Sequence, residues 1–372
     1  MGIRYIGAKT KITHEILRDV RRLVPAGGTV ADLMCGSGAI SLELRRAGYR
    51  VVANDVMRQA FHVTRAKLLL QEAPDFAGAR TPPRRSGQQS LDEDDRYAQL
   101  LHTMNALKPI PGYFWREFSP GGRPENGSKP RKYFSSENAA RIDAVRSLLR
   151  KLASDRAITD VEHSLLLNDL IMAANDVANI AGTYGHYLSS FVPRALEPIR
   201  FQQSSFVRGG PVVGHLVLNG RAEDVAESLK ADLCYLDPPY KKRQYAANYH
   251  IPETIAKEDE PPAIGLSGLR PWRDEYSDFC SKVRLPEALD KVVQKMECDD
   301  FLMSYSSEGL LPIDRLVDQL QTHGEVRYRE FRYKRFKSRN EEEAPEVTEY
   351  VIHLRKADSH PKLRSRHVSG PM

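Results

Sequence analysis

The sequence predicts an α/β fold, with a mainly parallel sheet interrupted by a long, mainly helical insertion. Three observations predict it. Residues 29–55 run strand, glycine turn, helix, strand within about 30 residues, the pattern of a βαβ unit. Short apolar runs resume at residue 214 and recur to residue 356. Between these two regions, residues 76–199 are mainly helical in pattern.

The elements follow in chain order. "TVADLM" (residues 29–34) is short and largely apolar, and "CGSG" turns the chain. Residues 39–47 read as a helix with Ile40, Leu42 and Leu44 as apolar positions, stopped by Gly48. "YRVVAND" (49–55) is a second strand with a polar end, which makes a parallel sheet the expectation. Residues 80–97, "RTPPRRSGQQSLDEDDRY", form a polar, proline-containing loop. Residues 109–130 are rich in Gly and Pro but carry Tyr113, Phe114, Trp115 and Phe118, a density that disordered linkers rarely show. "SSENAARIDAVRSLLRKLAS" (135–154) opens with capping residues and places Ile142, Val145, Leu148 and Leu149 at helical spacing. "VEHSLLLNDLIMAANDVANIAG" (161–182) reads as a longer, buried helix. The strands then return as "GHLVLNGRAEDV" (214–225), "DLCYLDPPY" (232–240), "DDFLMSYSSEG" (299–309) and "EVTEYVIHLRK" (346–356). This organisation predicts a discontinuous domain of residues 1–75 and 200–356, an insertion of residues 76–199, and a flexible basic tail, residues 357–372.

Composition narrows the class. With 41% hydrophobic and 28% charged residues over 372, the chain reads as globular, and no apolar run approaches the roughly 20 residues of a membrane span. The first residues, "MGIRYIGAKTK", lack an apolar signal core, and Tyr5–Ile6 stands where a myristoylation signal places Ser or Thr. Cys35, Cys234, Cys280 and Cys298 form no CxxC pair, which supports neither a zinc site nor a disulfide framework, and a reducing, cytoplasmic location fits. The net charge is +6. Much of it gathers in "VRYREFRYKRFKSR" (326–339), which reads either as a charged edge strand or as a phosphate-binding surface.

Two motifs carry chemistry. In "DLMCGSG" (32–38), Gly36 and Gly38 permit a sharp turn and close approach of a ligand to the backbone, before a helix N-terminus with free N–H groups. A dinucleotide fingerprint wants glycine at position 41, where Ser41 stands, so a pyrophosphate grip is not supported. Asp32 before the turn favours a cationic ligand, such as a sulfonium cofactor with an amino-acid end. Asp55, at the end of the second strand, can accept both hydroxyls of a ribose, or is an ordinary turn acid.

The second motif is Asp237-Pro238-Pro239-Tyr240. The exocyclic amine of adenine or cytosine is a poor nucleophile because its lone pair is delocalised into the ring. Two acceptors aimed at its N–H bonds draw it toward a tetrahedral geometry: the Asp237 carboxylate and the Pro238 carbonyl. Each proline fixes its own φ and restrains the residue before it, so the acceptors are preorganised. Tyr240 offers a stacking face worth about 1–3 kcal/mol. A base must leave the duplex to reach such a pocket. The motif ends an apolar strand, at the sheet edge where α/β folds bind ligands, which favours chemistry over a merely stiff turn.

These motifs, in this order, resemble the DPPY-type DNA adenine-N6 methyltransferases, the Dam-like group, and within it the restriction-modification branch. The resemblance implies a Rossmann-like S-adenosylmethionine-dependent methyltransferase sheet, with the insertion as target-recognition region. "RYIGAK" (4–9) looks like the family's N-terminal motif and implies that Tyr5 and Lys9 approach the cofactor. Asp32, Met34, Cys35, Gly36 and Gly38 fall on the cofactor motif, Asp55 on the ribose acid and Asp224 on the acid that reads the cofactor's adenine. "KYFSSENAARIDAVR", "GTYGHYL", "RQYAANYHIPETIA", "SYSSEGL" and "RYKRFKSR" also look like segments of this branch. Arg243, Gln244, Tyr245 and Asn248 are expected over the flipped base, and Arg335 and Lys337 on phosphates. Implied with these are S-adenosylhomocysteine as product, no metal, double-stranded DNA as partner, a restriction-modification enzyme with room for a cognate restriction endonuclease or else an orphan or phage-borne modification enzyme, and a monomer as the default. Rival readings are a cytosine-N4 or RNA adenine methyltransferase, and a non-catalytic DNA-binding protein that keeps the fold. Trp115 and Trp272 read as packing residues ahead of the alternative of recognition wedges, and no step calls on His186 or His250.

Overall fold

A computed structural model describes residues 12–79, 95–126, 129–239, 244–273, 276–334 and 346–357. Tyr5, Lys9, Tyr240, Arg243, Arg335 and Lys337, most of the polar segment after residue 79, and the tail lie outside these residues.

The strands are β1 (Thr29–Asp32), β2 (Arg50–Asp55), β3 (Leu216–Asn219), β4 (Leu233–Leu236), β5 (Asp300–Ser306), β6 (Gly324–Lys334) and β7 (Glu346–Lys356), and they form one seven-stranded sheet in the order β3-β2-β1-β4-β5-β7-β6. Every residue of β4 and β5 is buried, as strands covered on both faces require. β1 pairs in parallel with β2 (Val30 opposite Val51) and with β4 (Val30 opposite Leu233). The strand order therefore reverses between β1 and β4, and a crevice opens at their C-terminal ends. β7 runs antiparallel to both β5 and β6.

The charged strand of the sequence is β6, at the sheet edge. Its Arg329 pairs with Glu15 and Asp19, and Arg327 pairs with Glu325. These cations are satisfied within the protein, and a phosphate role for this stretch rests on positions beyond Lys334.

The helices are α1 (Thr13–Leu23), α2 (Ala39–Arg46), α3 (Arg58–Leu69), α4 (Arg96–Ala106), α5 (Tyr113–Phe118), α6 (Ser136–Ser154), α7 (Asp160–Asp176), α8 (Pro193–Leu196), α9 (Ala222–Val225), α10 (Tyr245–Asn248), α11 (His250–Lys257), α12 (Leu285–Lys295) and α13 (Ile313–Gln321). α1, α2 and α3 cover one face of the sheet through Ile16, Val20, Leu44 and Phe61. α9, α12 and α13 cover the other through Ala222, Leu289, Val292 and Leu316.

No strand lies between β2 and β3 among the described residues, and α4 to α8 occupy that span. α6 starts where its capping residues predict, with Ser135 accepting from the Asn138 N–H. α7 starts with a full capping box between Thr159 and Glu162. It ends at Asp176, earlier than its apolar pattern suggests. The cause is Asn179, fully buried, whose amide donates to the carbonyls of Lys132 and Leu188 at 3.0 Å each and fixes a non-helical path.

The aromatic run 113–118 is core: Phe114 and Phe118 join Tyr133, Ile142, Leu166 and Tyr184 in one cluster, with Trp115 and Trp272 packed against it. That cluster also takes Ala60 and Ala66 from α3 and Ile251 and Ile255 from α11. α3 is thus buried on two sides. Its far end is closed by Arg45, itself without solvent exposure, which donates to the carbonyls of Lys67 (3.1 Å), Leu68 (2.8 Å) and Leu70 (3.3 Å).

Candidate active site

The turn after β1 is built on backbone hydrogen bonds. Cys35 N–H donates to the Asn54 carbonyl (2.9 Å), and Gly38 N–H to the Cys35 carbonyl (2.8 Å). Gly36 and Gly38 have φ of 51° and 71°, where glycine carries no steric cost. A Cβ on Gly38 would also stand 2.6 Å from Thr64 Oγ1, so this glycine lets α2 approach α3 closely. Lys67 Nζ braces the turn from behind through the Ser37 carbonyl (3.1 Å).

Asp55 faces this turn. Its Oδ2 accepts the Gly36 N–H and its Oδ1 the Met57 N–H, both at 2.8 Å. Burial raises its pKa to about 6, against the lowering effect of those two donors. An ionised carboxylate has about four acceptor positions, so two remain for further donors. Asn54, fully buried beside it, sews three loops together by donating to the carbonyls of Leu33 and Gly220, each at 3.0 Å.

A cavity of about 120 Å³ opens over this turn. Met34, Cys35, Gly36, Asp55, Met57, Glu223, Asp237, Pro239, Gln244 and Tyr245 contribute to its walls. Asp237 and Pro239 are partly exposed and Pro238 is buried, directly after the fully buried β4. The structure therefore brings the glycine turn, the second-strand acid and the start of the DPPY motif to one place.

Other expected residues sit differently. Asp32 is 1% exposed and lies beneath the turn, with Oδ2 accepting from Ser41 Oγ at 2.6 Å. Ser41, the residue in place of a third glycine, thus holds the acid under the turn. Burial pushes Asp32 up to about 7, the Ser41 bond opposes this, and the nearby carboxylates of Asp237 and Asp55 add to it. Gly38 and Asp32 shape the turn and do not line the cavity. Asp224 is exposed, whereas its neighbour Glu223 is on the cavity wall, accepting from Arg221 Nε at 2.9 Å. Gln244 faces inward and grips Ser277 with its amide, accepting from the N–H at 3.0 Å and donating to the carbonyl at 3.4 Å. Asn248 is buried, donating to the Gln244 carbonyl and accepting from Thr183. Tyr245 stacks on Tyr249, with centroids 5.9 Å apart. Cys35 and Cys234 are buried thiols whose pKa burial raises. Among the described residues no group of three or more His, Cys, Asp or Glu is placed to hold a metal ion, and no helix is long and apolar enough to cross a membrane.

Because Asp32 has a folded pKa above its ordinary 3.8, the folded chain binds more protons than the unfolded one between about pH 4 and 7. Its contribution to stability is therefore largest at the acid end of that window and declines as pH rises through about 7. Asp32→Asn, which removes the titration, is expected to flatten the fall in stability of the ligand-free chain between about pH 5 and 8. Urea denaturation across that range checks this, and an unchanged slope rejects it.

Glu253 is a site residue that sequence reasoning missed. It is fully buried on α11, and its two oxygens accept the N–H groups of Arg58 and Gln59, each at 2.9 Å. These are first-turn donors of α3, whose own N-cap, Met57, has no side-chain cap. Met57 is also a wall of the cavity. Glu253→Ala is expected to cost about 1–2 kcal/mol of stability and, by loosening the start of α3 behind Met57, to weaken ligand binding in the cavity. Denaturant titration and calorimetry with S-adenosylhomocysteine, the product that the sequence resemblance implies, read the two effects separately. The strap 276–280 was also missed: Tyr276, Ser277 and Phe279 line the cavity, held by Arg221, which donates to the Tyr276 carbonyl (2.8 Å) and to Asp278 (3.0 Å).

Residues 5–319 match the family described as D12 class N6 adenine-specific DNA methyltransferase. The type II methyltransferase M.FokI of Planomicrobium okeanokoites is 30% identical over 95% of this chain and 53% of its own length. M.NlaIII of Neisseria lactamica is 28% identical over 90% of this chain and 93% of its own. M.CviAII of Paramecium bursaria Chlorella virus 1 is 29% identical over 94% and 97%. The chain thus spans about half of M.FokI and nearly all of the other two.

Proposed function

The chain belongs to the D12 class N6 adenine-specific DNA methyltransferases, and from that premise we propose that it methylates N6 of a flipped-out adenine at a specific site in double-stranded DNA, with S-adenosylmethionine as methyl donor. The observation that carries this is the shared cavity of Asp55, the Gly36 turn and Asp237 at the switch point of the sheet. The strand order and crevice agree with a Rossmann-like methyltransferase fold. Residues 1–75 and 200–356 form the catalytic part and residues 76–199 the target-recognition region. Names of type II methyltransferases among the relatives support a place in a restriction-modification system; a cognate endonuclease as partner, a monomeric state and a cytoplasmic location complete the reading as proposals.

The cavity suits the cofactor. Asp55 keeps acceptor positions for a ribose, Met34 and Met57 offer apolar walls to a flat base, and the carboxylates of Asp55 and Asp237 suit a cationic ligand. When bound, S-adenosylmethionine supplies an electrophilic methyl group, leaving S-adenosylhomocysteine. Asp55 fixes the ribose, and Tyr5 and Lys9, which lie outside the described residues, are assigned to the cofactor by the motif they match. Asp237 accepts one N6–H bond and the Pro238 carbonyl the other, while Tyr240 stacks on the ring. Asp237 takes the surplus proton. Holding the reactants at contact distance supplies much of the acceleration. No step requires a metal.

Modified-base sequencing of DNA from cells expressing the chain tests this. N6-methyladenine at one short motif is the expected result. Methylation at cytosine N4, methylation confined to RNA, or DNA binding without modification overturns it.

A further inference from the structure

Two sequence segments, "KYFSSENAARIDAVR" and "GTYGHYL", gain no role from the cofactor site. In the structure they meet a third loop, and three fully buried polar residues hold the assembly rigid. We propose, resting on the methyltransferase reading above, that the loops of residues 182–189 and 263–268 form one preorganised platform on which duplex DNA docks beside the catalytic segment.

The loop at 263–268 is a tight hairpin tip. Ile264 and Leu269 exchange two backbone hydrogen bonds of 2.8 and 2.9 Å, and Gly265 and Gly268 adopt positive φ. Arg131, with no solvent exposure, sits inside the tip. It donates to the carbonyls of Ala263 (3.2 Å), Gly265 (2.9 Å) and Leu266 (3.2 Å), and its remaining nitrogen pairs with Glu117. Tyr133 OH lies between the carbonyls of Tyr184 (2.9 Å) and Ser267 (3.0 Å), with one proton to donate between them. A Cβ on Gly268 would stand 2.8 Å from Arg131 Nε, so the backbone wraps the guanidinium closely. The carbonyls therefore face inward, and the side chains of Ile264 and Leu266 stand in solvent, 54% and 72% exposed.

The second loop is fixed in the same manner. Asn179 holds the Leu188 carbonyl and accepts the Val192 N–H (3.1 Å). Tyr184 N–H donates to the Asn248 carbonyl at 2.9 Å. His250 Nε2 binds the Tyr184 carbonyl of this loop (2.9 Å) and connects to the other loop through the Tyr133 hydroxyl (3.3 Å). Lys132 Nζ lies on the Ser189 carbonyl (2.8 Å), and His186 Nδ1 meets Ser267 Oγ (3.0 Å) and bridges the loops at the surface.

Arg131, Asn179 and His250 are thus desolvated to fix loops that carry no catalytic group. Such preorganisation reduces the ordering cost of binding a partner. The surface chemistry, half-buried Lys132 and exposed His186 as donors, the half-buried Ser267 hydroxyl and the exposed Leu266 tip, suits phosphates and base edges, with an aliphatic side chain able to wedge a base step. Two exposed aliphatic side chains fall well short of the roughly 800 Å² per partner of a stable protein interface. Continuity settles the location: Asn248 and His250 follow Gln244 and Tyr245, which wall the cavity. The platform draws on both sides of the DPPY motif, so target recognition extends beyond residues 76–199.

The test compares the full chain with Leu266→Ser, with the pair Lys132→Ala and His186→Ala, and with Arg315→Ala on the surface of α13 as control. Three readouts are taken: transfer of labelled methyl groups to genomic DNA from a bacterium lacking adenine methylation, calorimetry of S-adenosylhomocysteine, and gel shift of plasmid DNA. Platform variants are expected to lose about tenfold or more in kcat/KM for DNA, with S-adenosylhomocysteine affinity within about twofold, the size of a surface change, and Arg315→Ala unchanged. Variants that bind S-adenosylhomocysteine normally yet methylate and shift DNA like wild type overturn the platform. If the paired variant fails to bind S-adenosylhomocysteine, Leu266→Ser alone decides. If the wild type methylates nothing, the reaction falls, and plasmid binding decides the platform: dependence on these side chains keeps it, independence removes it.

Discussion

Asp237→Ala is expected to lower the methyl-transfer rate about 10³-fold or more, within the range for losing a group that takes both a positioning and a proton-accepting role. S-adenosylhomocysteine affinity should change little, and DNA binding should persist. The reason lies in how the residue is held. β4 is buried on both faces and is fixed between β1 and β5 in parallel register. Two prolines follow, so the carboxylate leaves the sheet with little freedom. Single-turnover measurements with saturating cofactor isolate the chemical step. A variant that retains more than about a tenth of the wild-type rate would assign the acceptor role elsewhere.

Asp55→Ala carries the second large effect. It releases the N–H groups of Gly36 and Met57 and, with the ribose contact proposed above, removes an acceptor for two hydroxyls. Hydrogen bonds to a charged group contribute about 1.5–3 kcal/mol each, so a loss of about 100-fold in S-adenosylhomocysteine affinity is expected. The same residue sets a pH dependence. The ligand needs the ionised carboxylate, whose pKa burial raises to about 6, so affinity should fall as pH drops through about 6 and level off above it. Calorimetry from pH 5 to 8 in buffers of different ionisation enthalpy should show proton release on binding near the lower end. Affinity that stays flat to about pH 5 would remove Asp55 from the ribose.

The parts legible in the sequence are those that depend on local chain chemistry. The glycine turn, β1, β2 and β4 announce themselves by apolar runs that end in Gly36, Asp55 and Asp237, and α6 by its cap at Ser135. α3 gives no such signal. It is packed by Phe61 and Leu68 on the sheet side and by Ala60 and Ala66 on the other, and its polar Gln59, His62 and Thr64 are buried among them, which blurs the helical period. The stretch after the DPPY motif reads as polar because its helices carry Gln244, Asn248, His250 and Glu253, which are buried but satisfied by distant partners. Glu253 binds backbone N–H groups 194 and 195 residues away, and Gln244 binds the backbone of Ser277, contacts that leave no local pattern. Gln244 and Asn248 were expected over a flipped base because they follow the motif in sequence. The structure turns both inward, where their amides fix neighbouring backbone.

α3 also bears on how such an enzyme exchanges specificity. One helix serves as floor to the sheet and as wall to the helical cluster, and α11, on the far side of the DPPY motif, closes that same cluster. A chimera that swaps residues 76–199 alone would cut through shared packing and leave α3 and α11 facing a stranger's side chains. With residues 76–199 as the target-recognition region proposed above, the inheritable unit of target choice is larger than the insertion. A graft that carries α3 and α11 with it keeps the packed seam intact, whereas the smaller graft must re-evolve both helices before any new site can be read.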